Sequence, residues 1–151
     1  MEALARQLTI RKAAVILEAR HWLGTPWRHQ ASVKGVGCDC AGLVRGVGNA
    51  LGLMDCREGS QQAAEFEGYG RLPEPRRMVK ALNMFMDRKE IAYASEGDVL
   101  LMRFDSDPQH LAILTGDGTI VHALQRIGRV VEHRLSGDWR ARIVGAWAYR
   151  V

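Results

Sequence analysis

Gly35–Val47 reads GVGCDCAGLVRGV, two cysteines one residue apart with an aspartate between them. Asp39 is a good helix N-cap, because its carboxylate can accept a backbone N–H that the first turn leaves unpaired. In that register Cys40 is the first helical residue, followed by Ala41, Gly42 and Leu43. The helix runs to about Leu51, with Leu43, Val44, Val47 and Leu51 on one face. Cys40 then lies at the positive end of a helix, beside free N–H groups, and both features favour thiolate over thiol. Cys38 precedes the cap, where packing against Leu43 is the expected use. Cys40 is placed for chemistry and Cys38 for packing, although three small buried hydrophobes remain an alternative on this helix start alone.

The wider chain narrows the choice. Cys-x-Cys lacks the second matching pair of a structural zinc site, so no metal is expected, and a redox Cys-x-x-Cys is absent. Three cysteines in 151 residues leave at least one thiol free, which argues against an oxidised secreted scaffold. A hydrophobic fraction of 47% and a charged fraction of 25% place the chain among ordinary globular proteins, long enough for one domain over 1–151. The net charge of +4 is spread in single residues and pairs, which argues against nucleic-acid binding. No stretch has the length and apolarity of a membrane span. The N-terminus, interrupted by Glu2, Arg6, Arg11, Lys12, Glu18 and Arg20, does not read as a signal peptide, so cytoplasmic synthesis is expected.

Around the central helix the periodicity predicts three further regions. A helix spans about Ile10 to Leu23, with Leu8, Lys12, Val15, Ile16, Ala19 and Leu23 at near-helical spacing, and stops at Gly24 and Pro26. Gly24–Gly37 and Asp55–Gly70 read as loops. PEPRRMVKALNMFMDRK reads as a third helix, with Pro75 in its first turn and Met78, Leu82 and Phe85 inward. Gly42 and Gly46, one turn apart, suggest close approach of a sheet to the central helix. From Gly97 the pattern turns to strands, GDVLLMRF, HLAILT, TIVHAL, RVVEHRL and ARIVGAWAYRV, joined by short turns. Helices first and antiparallel strands afterwards give an α+β fold.

A cysteine nucleophile needs a base, and the base needs an orienting partner. His21, His29 and His133 read as surface or packing residues. His110 and His122, on adjacent strands, share a sheet face if the connecting loop has an odd number of residues. Direct pairing of the two requires residue numbers summing to 232, as when Leu114 pairs with Gly118. Both imidazoles are then expected on the face toward Cys40. The late aromatics Trp139, Trp147 and Tyr149 are candidates for an exposed docking surface.

GTPW…GCDCAGLV, EGDVLLM and HLAILTGDGTIVHA together resemble the motif series of NlpC-type cell-wall peptidases, which are papain-like cysteine hydrolases. RHQASVKGVGCDCAGLVRGV further resembles the subgroup encoded with phage and gene-transfer-agent tails. The likeness spans about Ala19 to Ala123. It implies a papain-like fold and a cofactor-free endopeptidase cutting peptidoglycan stem peptides between D-glutamate and a diamino acid. Carried across, Cys40 is the nucleophile, His110 the base and His122 its orienting residue, with Trp27, Asp39 and Ala41 against the substrate. Ala41 stands where the family has serine, and Trp27 where it has tyrosine. The resemblance also implies tail-hub or tail-tip partners and residence in a virion or tail-like particle. A tail-tip subunit that keeps the fold with little activity is the competing expectation, followed by an amidase or transpeptidase.

Overall fold

The computed structural model describes residues 1–54, 70 and 74–150. Cys56 and nearly all of the expected loop from Asp55 lie outside the described residues. Helix α1 is Glu2–His21, α2 is Cys40–Ala50, α3 is Pro75–Phe85 and α4 is the short Gly137–Arg140. Strands β1 (Ser32–Val33) and β2 (Gly37–Cys38) form a small hairpin ahead of α2. Strands β3 (Met86–Lys89), β4 (Val99–Phe104), β5 (Asp107–Thr115), β6 (Thr119–Leu124), β7 (Arg129–Arg134) and β8 (Ile143–Tyr149) form one antiparallel sheet, ordered β3-β8-β4-β5-β6-β7.

Alternation along the strands separates two apolar layers. Val99, Leu101, Leu111, Ile113, Val121 and Ala123 face Val15 and Ala19 of α1 and Leu43, Val44 and Val47 of α2 in the main core. Leu100, Met102, Ala112 and Ile120 face the other way, with Leu135 and Trp139. The sheet is therefore covered on both sides. No helix among the described residues is long and apolar enough to cross a membrane.

Two helix boundaries differ from those read in the sequence. Helix α1 begins at Glu2 rather than Ile10, and most of its extra turns are exposed. Exposed turns carry no apolar period to read, yet Ala, Leu, Arg and Gln all favour helix. Leu23 is 43% exposed, beyond the helix end, and Trp22 takes the buried place instead. Helix α3 starts with Pro75 in its first turn as expected but ends at Phe85. Met86 turns extended, and Met86–Lys89 pair with Ala146–Tyr149 as an edge strand. Strand pairing outcompetes local helix preference there.

The α2 glycines make room for something other than the main sheet. A Cβ on Gly42 would lie 1.8 Å from the Ala31 carbonyl oxygen, and one on Gly46 would lie 2.3 Å from the Trp22 ring. The loop entering β1 and the end of α1 thus press directly on the α2 backbone. Gly42→Ala should lower stability by roughly 1–3 kcal/mol, because backbone cannot yield as a side chain can. Gly116→Ala, with nothing within 4 Å of its Cβ, should be nearly neutral. Equal melting temperatures for the two variants would contradict this packing.

Candidate active site

The cap at α2 forms as its sequence dictates. The Asp39 side chain accepts the Gly42 N–H at 2.8 Å through one oxygen and the Gln30 N–H at 2.7 Å through the other. Its own N–H donates to the Ala31 carbonyl at 3.3 Å. Cys40 is therefore the first helical residue and half-buried, while Cys38 is fully buried in the same core as Leu43. Both thiols are free.

The preceding loop is stitched on both sides. Gly24 and Trp27 donate to the carbonyls of Val130 and Gly128, and Val130 donates back to Thr25. On the other edge, Cys38 donates to the Pro26 carbonyl and Arg28 to that of Cys38. Trp27 is thereby held in a parallel bridge with Cys38, two residues from Cys40, with a half-buried indole.

Strand β5 supplies the other wall. The Cys40 sulfur lies 3.9 Å from the Gln109 carbonyl oxygen and also receives the Leu111 N–H. These contacts bracket His110 in the strand. They are available because the β5–β6 ladder extends only to the Ile113–Val121 pair, leaving this stretch of β5 unpaired on its β6 side.

The hairpin connection has three residues, Gly116–Gly118, so its odd length is as expected. The register sum is 234 rather than 232, however, with Thr115 opposite Thr119 and Ile113 opposite Val121. Asp117 and Gly118 both take positive φ, which completes the turn inside 116–118 and leaves Thr119 in the strand. The Thr115 and Thr119 hydroxyls then both donate to Glu132, which also pairs with Arg20. The shift of two conserves parity, so His110 and His122 share a face, offset diagonally. That face is the one of Ala112 and Ile120, away from the α1 and α2 packing. Cys40 meets β5 at its edge rather than across the face.

On that face the imidazoles form a series. His110 Nε2 lies 2.6 Å from His122 Nδ1, and His122 Nε2 lies 2.8 Å from His133 Nε2. His133 Nδ1 is 2.8 Å from the Arg134 carbonyl oxygen. His133, read in the sequence as a surface or packing residue, is thus part of the site. Its partner on β6 is Ile120, two residues from His122 on the same face, a relation visible only once the β6–β7 register is known. Trp139 is 5.0 Å from His122 and 5.1 Å from His133, ring to ring, and Phe104 stacks on His110 at 4.7 Å. The Arg142 guanidinium caps the Phe104 and Trp139 rings. The expected aromatic docking surface is therefore not formed: Trp147 and Tyr149 are core residues, at 0% and 1% exposure, and Trp139 packs on the histidines. Among the described residues no group of three or more His, Cys, Asp or Glu side chains is placed to hold a metal ion.

Electrostatics set the resting protonation. Burial pushes the Cys40 thiol up to about 12, and the neighbouring Asp39 carboxylate adds to it. The N–H groups of Leu111, Ala41 and Cys40 itself oppose this without overcoming it. The helix start therefore does not yield the resting thiolate expected from its position. Burial first, and then the cost of adding a positive charge beside His122, Arg142 and His133, holds His110 well below the usual imidazole range, and burial takes His122 to about 3. Cys40 rests as a neutral thiol and His110 and His122 as neutral imidazoles, with N–H donors already around the sulfur.

With this geometry in place, the comparisons decide the family. The chain matches the NlpC/P60 family over residues 24–148. It belongs to that family. By class it is a cysteine peptidase. Among solved structures, the NlpC/p60 domain of the peptidoglycan hydrolase SagA is 23% identical, with a TM-score of 0.63 over 91% of this chain and 97% of that one. The peptidoglycan hydrolase RipB from Mycobacterium tuberculosis is 21% identical, with a TM-score of 0.62 over 100% of this chain and 69% of that one. An NlpC/P60 family protein from Bacillus cereus is 19% identical, with a TM-score of 0.63 over 91% of this chain and 40% of that one. At these identities the likeness is one of fold: helices on a six-stranded antiparallel sheet, as in the papain-like NlpC/P60 arrangement. No curated protein matches the chain.

The depressed imidazoles make stability depend on pH in one direction. An unfolded chain protonates His122 near its ordinary 6.5, whereas the folded protein resists until about 3. The unfolded state binds more protons across that interval, so stability is full above 6.5 and declines as pH falls toward 3. His110 adds in the same sense. Thermal unfolding of His122→Gln should show a shallower loss over this window than wild type. Parallel slopes would contradict the buried neutral imidazole.

Proposed function

We propose that the chain is an endopeptidase of peptidoglycan stem peptides, cutting the bond between D-glutamate and a diamino acid, with Cys40 as nucleophile. The observation that carries this reading is the Cys40 sulfur at β5, bracketing His110, whose Nε2 is already engaged by His122. Nδ1 is then the nitrogen left to act as base. As the thiol attacks the amide carbonyl, its proton passes to His110 Nδ1 and the sulfur–carbon bond forms. The tetrahedral oxyanion takes hydrogen bonds from backbone N–H groups at the α2 start, where that of Cys40 is the best-placed donor. Collapse expels the amine, protonated by His110, and leaves an acyl-enzyme. Water, deprotonated by the same nitrogen, releases the product acid and restores the thiol.

Trp27, Asp39 and Ala41 form the near wall. Asp39 acts through the cap, Ala41 contributes an N–H at the sulfur, and Trp27 offers the exposed part of its indole to the peptide. An indole N–H lies elsewhere than a tyrosine hydroxyl, so substrate contacts here differ from those of a tyrosine-bearing site. The peptidoglycan assignment is supported by family membership and by neighbours described as peptidoglycan hydrolases. The motif stretch from Arg28 to Val47 supports delivery on a phage-tail or tail-like particle, docked to a tail-hub or tail-tip protein. The neutral resting thiol favours one competing reading, a tail-tip subunit with little activity.

Digestion of purified peptidoglycan, read by mass spectrometry, separates these. Wild type should release fragments ending in D-glutamate, and Cys40→Ala should release none while keeping its fold. His110→Ala should lower the rate by roughly 10²–10⁴-fold, the usual range for a lost general base. Trp27→Tyr should retain or raise activity, and Trp27→Ala should depress kcat/KM. A wild type that leaves peptidoglycan uncut would support the inactive subunit.

A further inference from the structure

The imidazole series ends on a group with no choice of role. A carbonyl oxygen only accepts, so the Arg134 carbonyl requires the His133 proton on Nδ1. A neutral His133 then has a bare Nε2, which must accept from His122 Nε2–H across 2.8 Å. His122 in turn has a bare Nδ1, which accepts from His110 Nε2–H across 2.6 Å. His110 is left with its lone pair on Nδ1. One main-chain oxygen in β7 thus determines the protonation of a side chain two strands away.

We infer that His133 is a positioning residue, which with the Arg134 carbonyl holds His122 and His110 in the tautomer that leaves His110 Nδ1 free to accept the Cys40 proton. The inverted order, each ring reversed, would place a proton on His110 Nδ1 and remove the base. Nothing at His122 alone selects between the two orders, since a neutral imidazole can donate from either nitrogen. His133 makes the selection because its far nitrogen faces a pure acceptor. Trp139, at 5.0 and 5.1 Å from the His122 and His133 rings, walls the series without offering an acceptor. This inference rests on the catalytic reading of Cys40 and His110 given above.

The test uses nitrogen-15 NMR of the imidazoles in the full chain at neutral pH, together with kinetics on a soluble muropeptide. In wild type, His110 should show a protonated Nε2 and an unprotonated Nδ1. His133→Gln, whose amide oxygen can replace the Nε2 acceptor, should keep that pattern and stay within about threefold of wild-type kcat. His133→Phe removes the acceptor, so the two His110 tautomers should mix and kcat should fall roughly tenfold with KM unchanged. His133→Lys presents a donor in its place and should fall below the phenylalanine variant. A proton on Nδ1 of wild-type His110 overturns the inference, as does a phenylalanine variant with unaltered tautomer and kcat. The wild-type spectrum decides the matter even where a variant does not fold. Should wild type fail to cleave any muropeptide, the catalytic reading falls, while the tautomer pattern still stands or fails by itself.

Discussion

The Asp39 carboxylate is the constraint on which the site depends. One buried side chain, 4% exposed, caps α2 through Gly42 and ties down the incoming loop through Gln30. Its backbone joins the same loop at Ala31, whose carbonyl presses on the α-carbon of Gly42 so closely that no Cβ fits. The three contacts share one geometry. They set where the helix starts, hence which residue receives the first-turn N–H groups, and they carry Trp27 alongside. The same carboxylate also raises the thiol pKa, so positioning the Cys40 thiol and ionising it are opposed at this residue. Activation must come from the other wall.

That wall is a sheet face rather than a helix. The β5–β6 ladder stops short of His110, which opens backbone polar groups for the cysteine, while the opposite face gathers the imidazoles under Trp139, Phe104 and Arg142. Burial keeps the His110 and His122 imidazoles neutral, each with a bare ring nitrogen, at the expense of their basicity. Cys40 comes from the helix layer to the edge of the strand that carries His110, and the proposed chemistry needs both layers.

Much of this was legible in the chain, and the limits have physical causes. The cap, the first residue of α2, the separate fates of Cys38 and Cys40 and the antiparallel sheet all follow from local rules about caps, periodicity and turns. The common face of His110 and His122 follows from parity, which tolerates the error of two in register. His133 and Trp139 were missed because their relation to His122 depends on the β6–β7 pairing and on the α4 turn. Neither leaves a mark in local sequence. The first turns of α1 were missed because an exposed helix needs no apolar stripe. Met86–Lys89 was misread because an edge strand is decided by its partner, β8, and not by its own residues.

The account turns on whether His110 activates Cys40, and limited alkylation tests that directly. Full-length wild type and His110→Ala are treated with equimolar iodoacetamide at neutral pH, and the adducts are mapped by mass spectrometry. The account predicts one early adduct in wild type, on Cys40, formed much more slowly in His110→Ala because the resting thiol is neutral. Earlier labelling of Cys38 or Cys56, or equal labelling of Cys40 in both proteins, would contradict it.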